Sequence, residues 1–393
     1  MIAGALGRVG CHIACAVLAS SLLLGACGAG SGGQIVRLDQ SEPKTLNLFL
    51  WSPHGSPTGT GGEARVDSFL APDAIRRFEA SSGIKVKVVN YQDDAELTRT
   101  LMSGGTVDLA IPSNATYQQH LAAGLYRPID RRLLPNLAHI DAALARRIAV
   151  DPAAADHTIV HMWGTIGIAY DAGRVQAIMP DAPIGSWALV FDPAVVKRLS
   201  ACGVSLHLPP SELLAVALAG AGKDINSNDP ADWRAARGAL MRIKDSGAVA
   251  SADPAAPNML GGKVCVAVTY SVDALDARRE ASSGRRRIGF GIPKEGSVIW
   301  ADSYVIPKKA AHPRNAHAFI DFMLRPDSAA ATTNALHYPS GSAGGRDLVA
   351  PALRSDPAVY PPAAAMGRLV PIESSSPERE RAAVALWSDF SRP

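Results

Sequence analysis

The sequence predicts an α/β fold with a mainly parallel sheet, and three observations lead to that fold class. The chain has 393 residues, of which 47% are hydrophobic and 19% charged, so it has the composition of a globular protein. Short strand-like runs alternate with helix-like runs from residue 45 onward, a pattern typical of βαβ units. The same alternation returns after a middle region, which indicates two α/β units with a cleft between them.

The first unit opens on an alternating apolar run and then switches between strand and helix. Pro72 near the start and Gly83 after the end delimit its first helix, and Gly104 ends its second. The segment 53–67 is rich in Gly, Pro, Ser and Thr and is expected to form an exposed loop. The expected strands are 45–51, 85–89 and 107–111, and the expected helices are 71–82, 97–102 and 117–123.

The second unit begins with the long strand-rich run 158–170. Ligands of open α/β sheets bind beyond the carboxyl ends of the strands, so residues that follow strands are the first candidates for a site. We therefore single out the positions 51–52, 113–114, 270–273 and 300–302. The further elements expected are helices at 211–219, 231–246 and 315–324, strands at 264–270, 288–292 and 303–306, and a closing polar helix that ends at 391.

The first 26 residues have the form of a secretory signal peptide. Arg8 precedes a mostly apolar run at 13–24, which is too short to span the ~30 Å hydrocarbon core as a helix. The run leads through Gly and Ala to Cys27 and is similar to a bacterial lipobox, in which Cys27 is lipidated; an ordinary signal peptide followed by a chance cysteine is the alternative. Residues 27–44 would form a tether, and the protein is expected in the periplasm, held to a membrane only by its lipid anchor.

The cysteine count agrees with an oxidising compartment. Cys11 and Cys15 lie in the signal peptide, which leaves Cys202 and Cys265 as an even pair in the body of the chain. A disulfide between them would close a loop of about 64 residues and contribute about 4 kcal/mol by chain-entropy reasoning. The alternative is two buried free thiols, since Cys265 lies in a strand-like apolar run.

Charge and motifs exclude several classes of function. The formal net charge is +3, because 39 Lys and Arg nearly balance 36 Asp and Glu, so the chain is not a generally basic nucleic-acid binder. It contains none of the motifs typical of serine hydrolases, P-loop proteins, metalloproteases or dinucleotide-binding proteins. His157 and His161 would lie about 13 Å apart on one strand, too far to share a metal. We therefore expect no enzyme activity, no cofactor and no metal.

The remaining candidates for chemistry are carboxylates beside aromatic residues. Asp273 follows a predicted strand that ends at Tyr270. Asp302 stands two residues after Trp300, and Glu212 opens an apolar helix. Each also has a structural alternative: the aspartates as turn or cap residues, and Glu212 as a charge that stabilises a helix N-terminus.

An ordered set of short runs extends over residues 45–393. The runs are LNLFLWS at 46–52, FLAPD at 69–73, FEASSGIKV at 78–86, DLAIPS at 108–113, MWGTIGIAY at 162–170, CGVS at 202–205, IPKEG at 292–296 and LRPD at 324–327. In this order they resemble the periplasmic spermidine/putrescine-binding proteins of ABC transporters, most closely the putrescine-binding branch.

The resemblance implies a two-lobed, type II periplasmic-binding fold that closes on its ligand by a hinge. Lobe 1 would comprise 45–156 plus about 290–331, and lobe 2 would comprise 157–289 plus about 332–393. The disulfide between Cys202 and Cys265 is also implied. The ligand contacts that it implies are Trp51, Ser52, Phe69, Ser113, Glu212, Tyr270, Asp273, Trp300, Asp302 and Tyr338.

The function implied by the resemblance is the capture of a polyamine, with putrescine as the expected ligand, by a monomer that delivers it to ABC permease subunits. Carboxylates would pair the ammonium groups, and aromatic faces would cover the methylenes. The same fold binding another cationic, amino-bearing solute is one alternative, and an envelope lipoprotein without a transport role is another.

The chain departs from the family pattern near its first expected contacts. The segment 53–67 is inserted there, and Ser68 and Phe69 stand where the family has an acidic residue and a tyrosine. One ammonium contact is therefore lost unless Asp67 replaces it. Ala115 also stands at a position that is polar in the family.

Overall fold

The computed structural model describes residues 42–51, 69–149, 151–251, 255–281 and 286–392. The predicted signal peptide, Cys27 and the loop 53–67 lie outside the described residues, as do Ser52 and Asp67. Signal cleavage and lipidation therefore stay predictions. No helix within the described ranges is both long and apolar enough to pass through a bilayer.

Strands and helices alternate along the described ranges, which confirms the predicted α/β class. The strands are β1 Thr45–Trp51, β2 Lys85–Tyr91, β3 Leu109–Ala110, β4 Ile159–Asp171, β5 Val204–Leu206, β6 Ala248–Ala250, β7 Val266–Tyr270, β8 Ile288–Gly291, β9 Ser297–Tyr304 and β10 Leu369–Pro371. The helices are α1 Ala74–Ser82, α2 Asp94–Ser103, α3 Asn114–Ala122, α4 Ala142–Ile148, α5 Pro152–His157, α6 Ala172–Ile178, α7 Ala188–Phe191, α8 Pro193–Leu199, α9 Pro210–Gly220, α10 Pro230–Asp245, α11 Ala255–Leu260, α12 Ser271–Ala281, α13 Pro313–Leu324, α14 Pro326–Leu336, α15 Pro351–Arg354, α16 Ala363–Met366 and α17 Pro377–Ser391.

The strands form two sheets of different character. The first has the order β2-β1-β3 and is parallel throughout, as the sequence predicts. The second runs β10-β9-β4-β7-β5-β6, with β8 also paired to β4. Its central strand β4 is antiparallel to β7, β8 and β9, so the expectation of mainly parallel pairing is wrong there. Local alternation does not encode the direction of partners that are so distant along the chain.

Strand β9 differs most from its prediction. The sequence predicted a strand at 303–306, whereas β9 runs from Ser297 to Tyr304 and pairs Trp300 with Gly164 and Asp302 with Met162 of β4. Trp300 and Asp302 thus stand within a strand rather than after one. Because side chains alternate along a strand, these two share one face of β9. Residues 299, 301 and 303 on the opposite face are buried.

The two sheets pack against different apolar clusters, although β4 and β9 of the second sheet also contribute residues to the cluster on the first. Leu48 of β1 packs with Phe78 of α1 and Phe319 of α13, whose rings meet edge to face at 5.0 Å. The second sheet is covered by a larger cluster that includes Leu214 of α9 and Leu240 of α10. The predicted lobe boundaries stay a prediction.

The predicted disulfide joins the segments that precede β5 and β7 of the second sheet. Cys202 and Cys265 are bonded, with their Cα atoms 5.4 Å apart, which rules out the alternative of two free thiols. Between them, Gly203 has φ +89°, and a Cβ at this position would lie 2.2 Å from the Lys263 carbonyl oxygen. Only glycine fits such a close approach in the left-handed region.

Candidate functional site

Ser113 and Asp302 lie side by side where the first sheet meets β9. The two residues form an antiparallel β-bridge, and Ala110 and Val305 form another. The Ser303 N–H donates to the Pro112 carbonyl at 3.0 Å, which fixes the approach of the two segments. Two predicted site residues that are far apart in sequence are therefore neighbours.

Three predicted aromatic residues form a row on the face of β9 that carries Trp300 and Asp302. The ring of Trp300 is 5.9 Å from that of Tyr270 and 5.0 Å from that of Tyr338, centroid to centroid. Both contacts are edge to face, with interplanar angles of 85° and 84°, which is a favourable aromatic geometry. The indole N–H of Trp300 is buried without a hydrogen-bond partner in the described part of the chain.

Gly164 of β4 makes room for this aromatic row. It is paired with Trp300 across the sheet, and a Cβ at Gly164 would lie 2.5 Å from the indole ring. The indole therefore lies directly over the glycine backbone. A larger residue at 164 would push Trp300 away from its position between the two tyrosines.

Glu212 joins the row through Tyr270. It lies in the first turn of α9 and accepts a hydrogen bond from the Tyr270 hydroxyl. Burial raises the pKa of Glu212 to about 7, against the opposing effect of that hydrogen bond. The local sequence explains the placement. Pro210 is the first residue of α9, so Glu212 lies in the first turn of this helix, beside the end of β7.

Asp273 is a second carboxyl near Tyr270, and its charge contributes to the raised pKa of that tyrosine. It lies in the first turn of α12, directly after β7, and accepts a hydrogen bond from the Thr269 hydroxyl. Burial raises the pKa of Asp273, and the Thr269 hydrogen bond opposes that increase.

Asp302 is the most strongly perturbed of the three carboxyls. Burial raises its pKa to about 8, and the negative charges of Asp94 and Glu212 add to the increase. Asp302 has no side-chain hydrogen bond or ion pair among the residues that the structure describes. A carboxylate in that position is stable only when a cation approaches it.

Tyr338 is buried within electrostatic range of all three carboxylates. Burial raises its pKa well above the ordinary value, and the charges of Asp273, Asp302 and Glu212 all contribute. No Lys, Arg or His of the described ranges forms an ion pair with any of these three acids. Within the described part of the chain, the arrangement is an acidic, aromatic site whose three acids have no positively charged partner.

Trp51 and Phe69 form a separate pair. Their rings are 6.3 Å apart at an angle of 79°, and Trp51 is 38% exposed at the end of β1. The Trp51 indole donates to the Gln92 carbonyl at 3.0 Å. Neither ring contacts the Tyr270–Trp300–Tyr338 row within the described ranges.

Asp94 is an acidic residue of this region that the sequence reasoning missed. Asp94 opens helix α2 just after β2 and acts electrostatically on Asp302. Since β2 lies next to β1, the rule that selects residues after strands would have found it. The predicted strand ended at Val89 and the predicted helix began at residue 97, whereas β2 ends at Tyr91 and α2 begins at Asp94, so Asp94 fell between the two predicted elements.

The predicted absence of a metal rested partly on two histidines. His157 ends helix α5 whereas His161 lies in β4, so the expectation that both share one strand is wrong. Across the described ranges, no three His, Cys, Asp or Glu side chains group closely enough to hold a metal ion.

Comparison with known proteins gives consistent matches over most of the chain. The profile of a family described as bacterial extracellular solute-binding protein matches residues 73–361. The putrescine-binding periplasmic protein SpuD of Pseudomonas aeruginosa is 30% identical over 361 residues, which is 91% of this chain and 94% of its own. The putrescine/agmatine-binding protein of Pseudomonas aeruginosa is 33% identical over 325 residues, 81% of this chain and 88% of its own.

A solved structure supports the same fold. A spermidine/putrescine ABC transporter protein from Listeria monocytogenes superposes with a TM-score of 0.71 at 26% identity. The match covers 88% of this chain and 99% of that one.

Proposed function

The chain belongs to the spermidine/putrescine-binding family of ABC-transporter solute-binding proteins, which are not enzymes, and we propose that its own ligand is putrescine. In this role it captures the diamine outside the cytoplasm and delivers it to permease subunits. The sequence resemblance, the names of the relatives and the chemistry of the candidate site all favour this assignment.

The observation that carries the proposal is that Glu212, Asp273 and Asp302 all act electrostatically on Tyr338, while no Lys, Arg or His of the described ranges forms an ion pair with any of the three. Burying a carboxylate without a partner is unfavourable, which is why burial raises all three pKa values. A ligand with ammonium groups supplies the missing positive charges. Each ammonium has three N–H donors, so it can donate hydrogen bonds to several carboxylate and hydroxyl oxygens that lie close together.

The aromatic row suits the remainder of such a ligand. The methylenes of a diamine need an apolar cover, and Trp300 and Tyr338 present ring edges and faces close to the acids. A cation near an aromatic face gains about 0.5–2 kcal/mol. A site with several acids and several rings therefore favours a flexible dication over an anion or a neutral sugar.

Ligand binding and closure would be coupled by the same charges. Without a cation, the acids favour contact with water and an open cleft, and a bound diamine removes that penalty. We assign the moving parts to the lobes predicted from the sequence, 45–156 plus about 290–331 and 157–289 plus about 332–393. Small-angle scattering tests this assignment: putrescine should lower the radius of gyration, and an unchanged radius would contradict the hinge.

Calorimetry tests the ligand directly. Titrations with putrescine, cadaverine, spermidine and spermine should give heat and thermal stabilisation, with putrescine tightest, whereas uncharged 1,4-butanediol should give neither. Asp302→Asn should weaken putrescine binding. Asp192→Asn is a matched control, because this aspartate caps helix α8 and asparagine preserves such a cap. Absence of any response to the four amines would overturn the proposal.

A second amino-bearing ligand class is tested by the same assay. One relative is named for both putrescine and agmatine, so a cation with a guanidinium end is the specific competitor. Tighter binding of agmatine than of putrescine would reassign the preferred ligand within the same fold. A planar guanidinium prefers to donate to two paired acceptors, whereas an ammonium can donate to any compact set of oxygens.

We also propose that the protein is anchored in the periplasm through lipid on Cys27. Lipidation of a cysteine directly after a short apolar signal tethers the protein beside its permease without a membrane-spanning helix. Cys27→Ser should move the protein from the membrane fraction to the soluble fraction. Cys15→Ala, which removes a cysteine from the predicted signal peptide and leaves the disulfide intact, is the matched control, and retention of both variants in the membrane would argue against the anchor.

A further inference from the structure

Asp94 lies at the edge of the first sheet where two parallel strands end together. Trp51 ends β1 and is in register with Tyr91, which ends β2, and Asp94 opens α2 three residues later. The carboxylate is exposed, and Asp94 forms no ion pair within the described ranges. The preceding residue, Asp93, has a plain structural role, since it caps α2 by accepting the Glu96 N–H at 2.7 Å.

A short chain of hydroxyl groups connects Asp94 to the candidate site. The Thr116 hydroxyl donates to the Asp94 carboxylate at 2.6 Å, and the Ser113 and Thr116 hydroxyl oxygens are 3.2 Å apart. Because Thr116 gives its only hydroxyl proton to Asp94, Ser113 must be the donor to Thr116. The lone pairs of the Ser113 oxygen are thereby left free to accept a hydrogen bond.

The backbone then completes the link to Asp302. Ser113 forms a β-bridge with Asp302, and the side chains of two bridged residues extend to the same side of the sheet, so the Asp94–Thr116–Ser113 chain leads to the residue paired with Asp302. The Asp94 charge is close enough to raise the pKa of Asp302 and of Tyr91. Asp94 and Asp302 therefore face one small region from two different elements.

No base among the residues that the structure describes forms an ion pair with either of the two acids. His120 is near enough to feel the Asp94 charge, but burial lowers its pKa, so it is neutral at pH 7. Its ring nitrogens contact the Thr98 hydroxyl at 2.7 Å and the Tyr126 hydroxyl at 2.6 Å. The corner offers two carboxylates and one hydroxyl oxygen as acceptors and contains no Lys or Arg ion pair in the described ranges.

We propose that Asp94 is a further specificity-determining residue of the cleft, and that Asp94, Asp302 and Ser113 together hold one primary ammonium group of the ligand. The proposal rests on the proposed function and names the subsite for one end of the diamine. Three acceptors match the three N–H donors of an ammonium. The pair of acids also favours a full positive charge over a neutral amine or hydroxyl at that end. Asp94 fills the role that the sequence analysis left open after the loss of an acidic family contact.

The test compares Asp94→Asn with the adjacent Asp93→Asn. Asparagine at 94 keeps an oxygen for the Thr116 hydroxyl, and asparagine at 93 keeps the helix cap, so each variant removes one negative charge with little other change. The dissociation constant for putrescine should rise at least about tenfold in Asp94→Asn, as expected for loss of a charge-assisted hydrogen bond. In Asp93→Asn it should stay within about twofold.

A second readout needs no ligand. Nuclear magnetic resonance titration of the Asp302 carboxyl should show a lower pKa in Asp94→Asn and no change in Asp93→Asn. Equal putrescine affinity in Asp94→Asn and the unmodified protein would overturn the inference and leave the proposed function intact. Equal losses in both variants, or an unchanged Asp302 pKa, would also overturn it. If the unmodified protein binds no amine, the proposed function fails and this inference fails with it.

Discussion

The hydroxyl of Tyr270 donates a hydrogen bond to the carboxylate of Glu212, a residue 58 positions earlier in the chain. Burial raises the pKa of Glu212 to about 7, and this hydrogen bond keeps it from rising further. Tyr270 thus does two things at once: its ring packs against Trp300, and its hydroxyl preserves the charge of the neighbouring acid.

Tyr270→Phe separates these two roles. The ring contact survives, but the pKa of Glu212 should rise, so less of the acid is ionised at pH 7. We expect putrescine affinity to fall about tenfold at pH 7 and to recover partly at pH 9, as measured by calorimetry. Tyr338→Phe, which breaks no hydrogen bond to Glu212, should lack the recovery. A pH-independent loss in Tyr270→Phe would show that the hydroxyl does not act through the ionisation of Glu212.

Putrescine binding should release protons near neutral pH. The pKa values of Asp302, about 8, and Glu212, about 7, leave both carboxyls largely or partly protonated at pH 7. An ammonium favours the ionised forms and so expels those protons, while alkylammonium groups with pKa values near 10 stay charged. Affinity should therefore increase between pH 6 and pH 8.

Calorimetry in buffers of different ionisation enthalpy counts the released protons. The number should be lower in Asp302→Asn, which has no proton to release at that position. Asp192→Asn, a change in a helix cap outside the site, should release as many protons as the unmodified protein. Identical heats in all buffers would show that the two acids are already ionised before the ligand arrives.

The sequence was most informative where local pattern and burial coincide. Strand β1 was predicted with its observed bounds, because Leu46, Leu48 and Leu50 alternate with less buried residues and all face one core. Strand β9 was misplaced, because Asp302 interrupts its apolar pattern just before the predicted strand begins at Ser303. Its true extent depends on pairing with β4, a contact between residues more than a hundred positions apart.

The same limit applies to the candidate site. Tyr270 and Asp273 follow a buried strand and could be singled out by position alone. The placement of Asp94 depends on β2 continuing to Tyr91, which it does because Leu50 and Trp51 of β1 supply partners there. Whether the charge of one acid shifts the pKa of another depends on such non-local strand pairing. The sequence does not reveal that pairing.

Gly203→Ala should destabilise the protein strongly. The added Cβ would lie 2.2 Å from the Lys263 carbonyl oxygen, and φ is +89°. The Gly203 carbonyl also accepts the Cys265 N–H at 2.9 Å, so relief of the clash would disturb the pairing of β5 with β7. We expect a loss of about 2 kcal/mol or more in urea unfolding.

Gly124→Ala is the matched control for backbone strain. Gly124 has φ +64° and no atom within 4 Å of an added Cβ, so only the left-handed conformation is penalised. That variant should lose about 1 kcal/mol. Equal losses in the two variants would show that the close approach at Gly203 relaxes without cost.

His161→Phe should loosen the segment that carries Phe69. His161 is buried in β4; its Nε2–H donates to the Phe69 carbonyl at 2.6 Å, and its Nδ1 accepts the Tyr304 hydroxyl at 2.6 Å. Phenylalanine leaves both partners buried without a hydrogen bond, so we expect a loss of about 2 kcal/mol or more in unfolding free energy at pH 7. His157→Gln, at the end of α5, should change stability by less than about 0.5 kcal/mol.

The pH dependence of this loss identifies its cause. Burial lowers the pKa of His161 to about 4, below its ordinary value of 6.5, so folding favours the neutral ring. The contribution of this preference to the free energy of unfolding is fully present above about pH 6.5 and is lost as the pH falls toward 4. In urea unfolding, His161→Phe should therefore be much less sensitive to pH in that window than the unmodified protein. The double variant His161→Phe/Tyr304→Phe should regain part of the stability at pH 7, because the unpaired hydroxyl is gone. Parallel pH profiles in all variants would show that another group controls stability in this window.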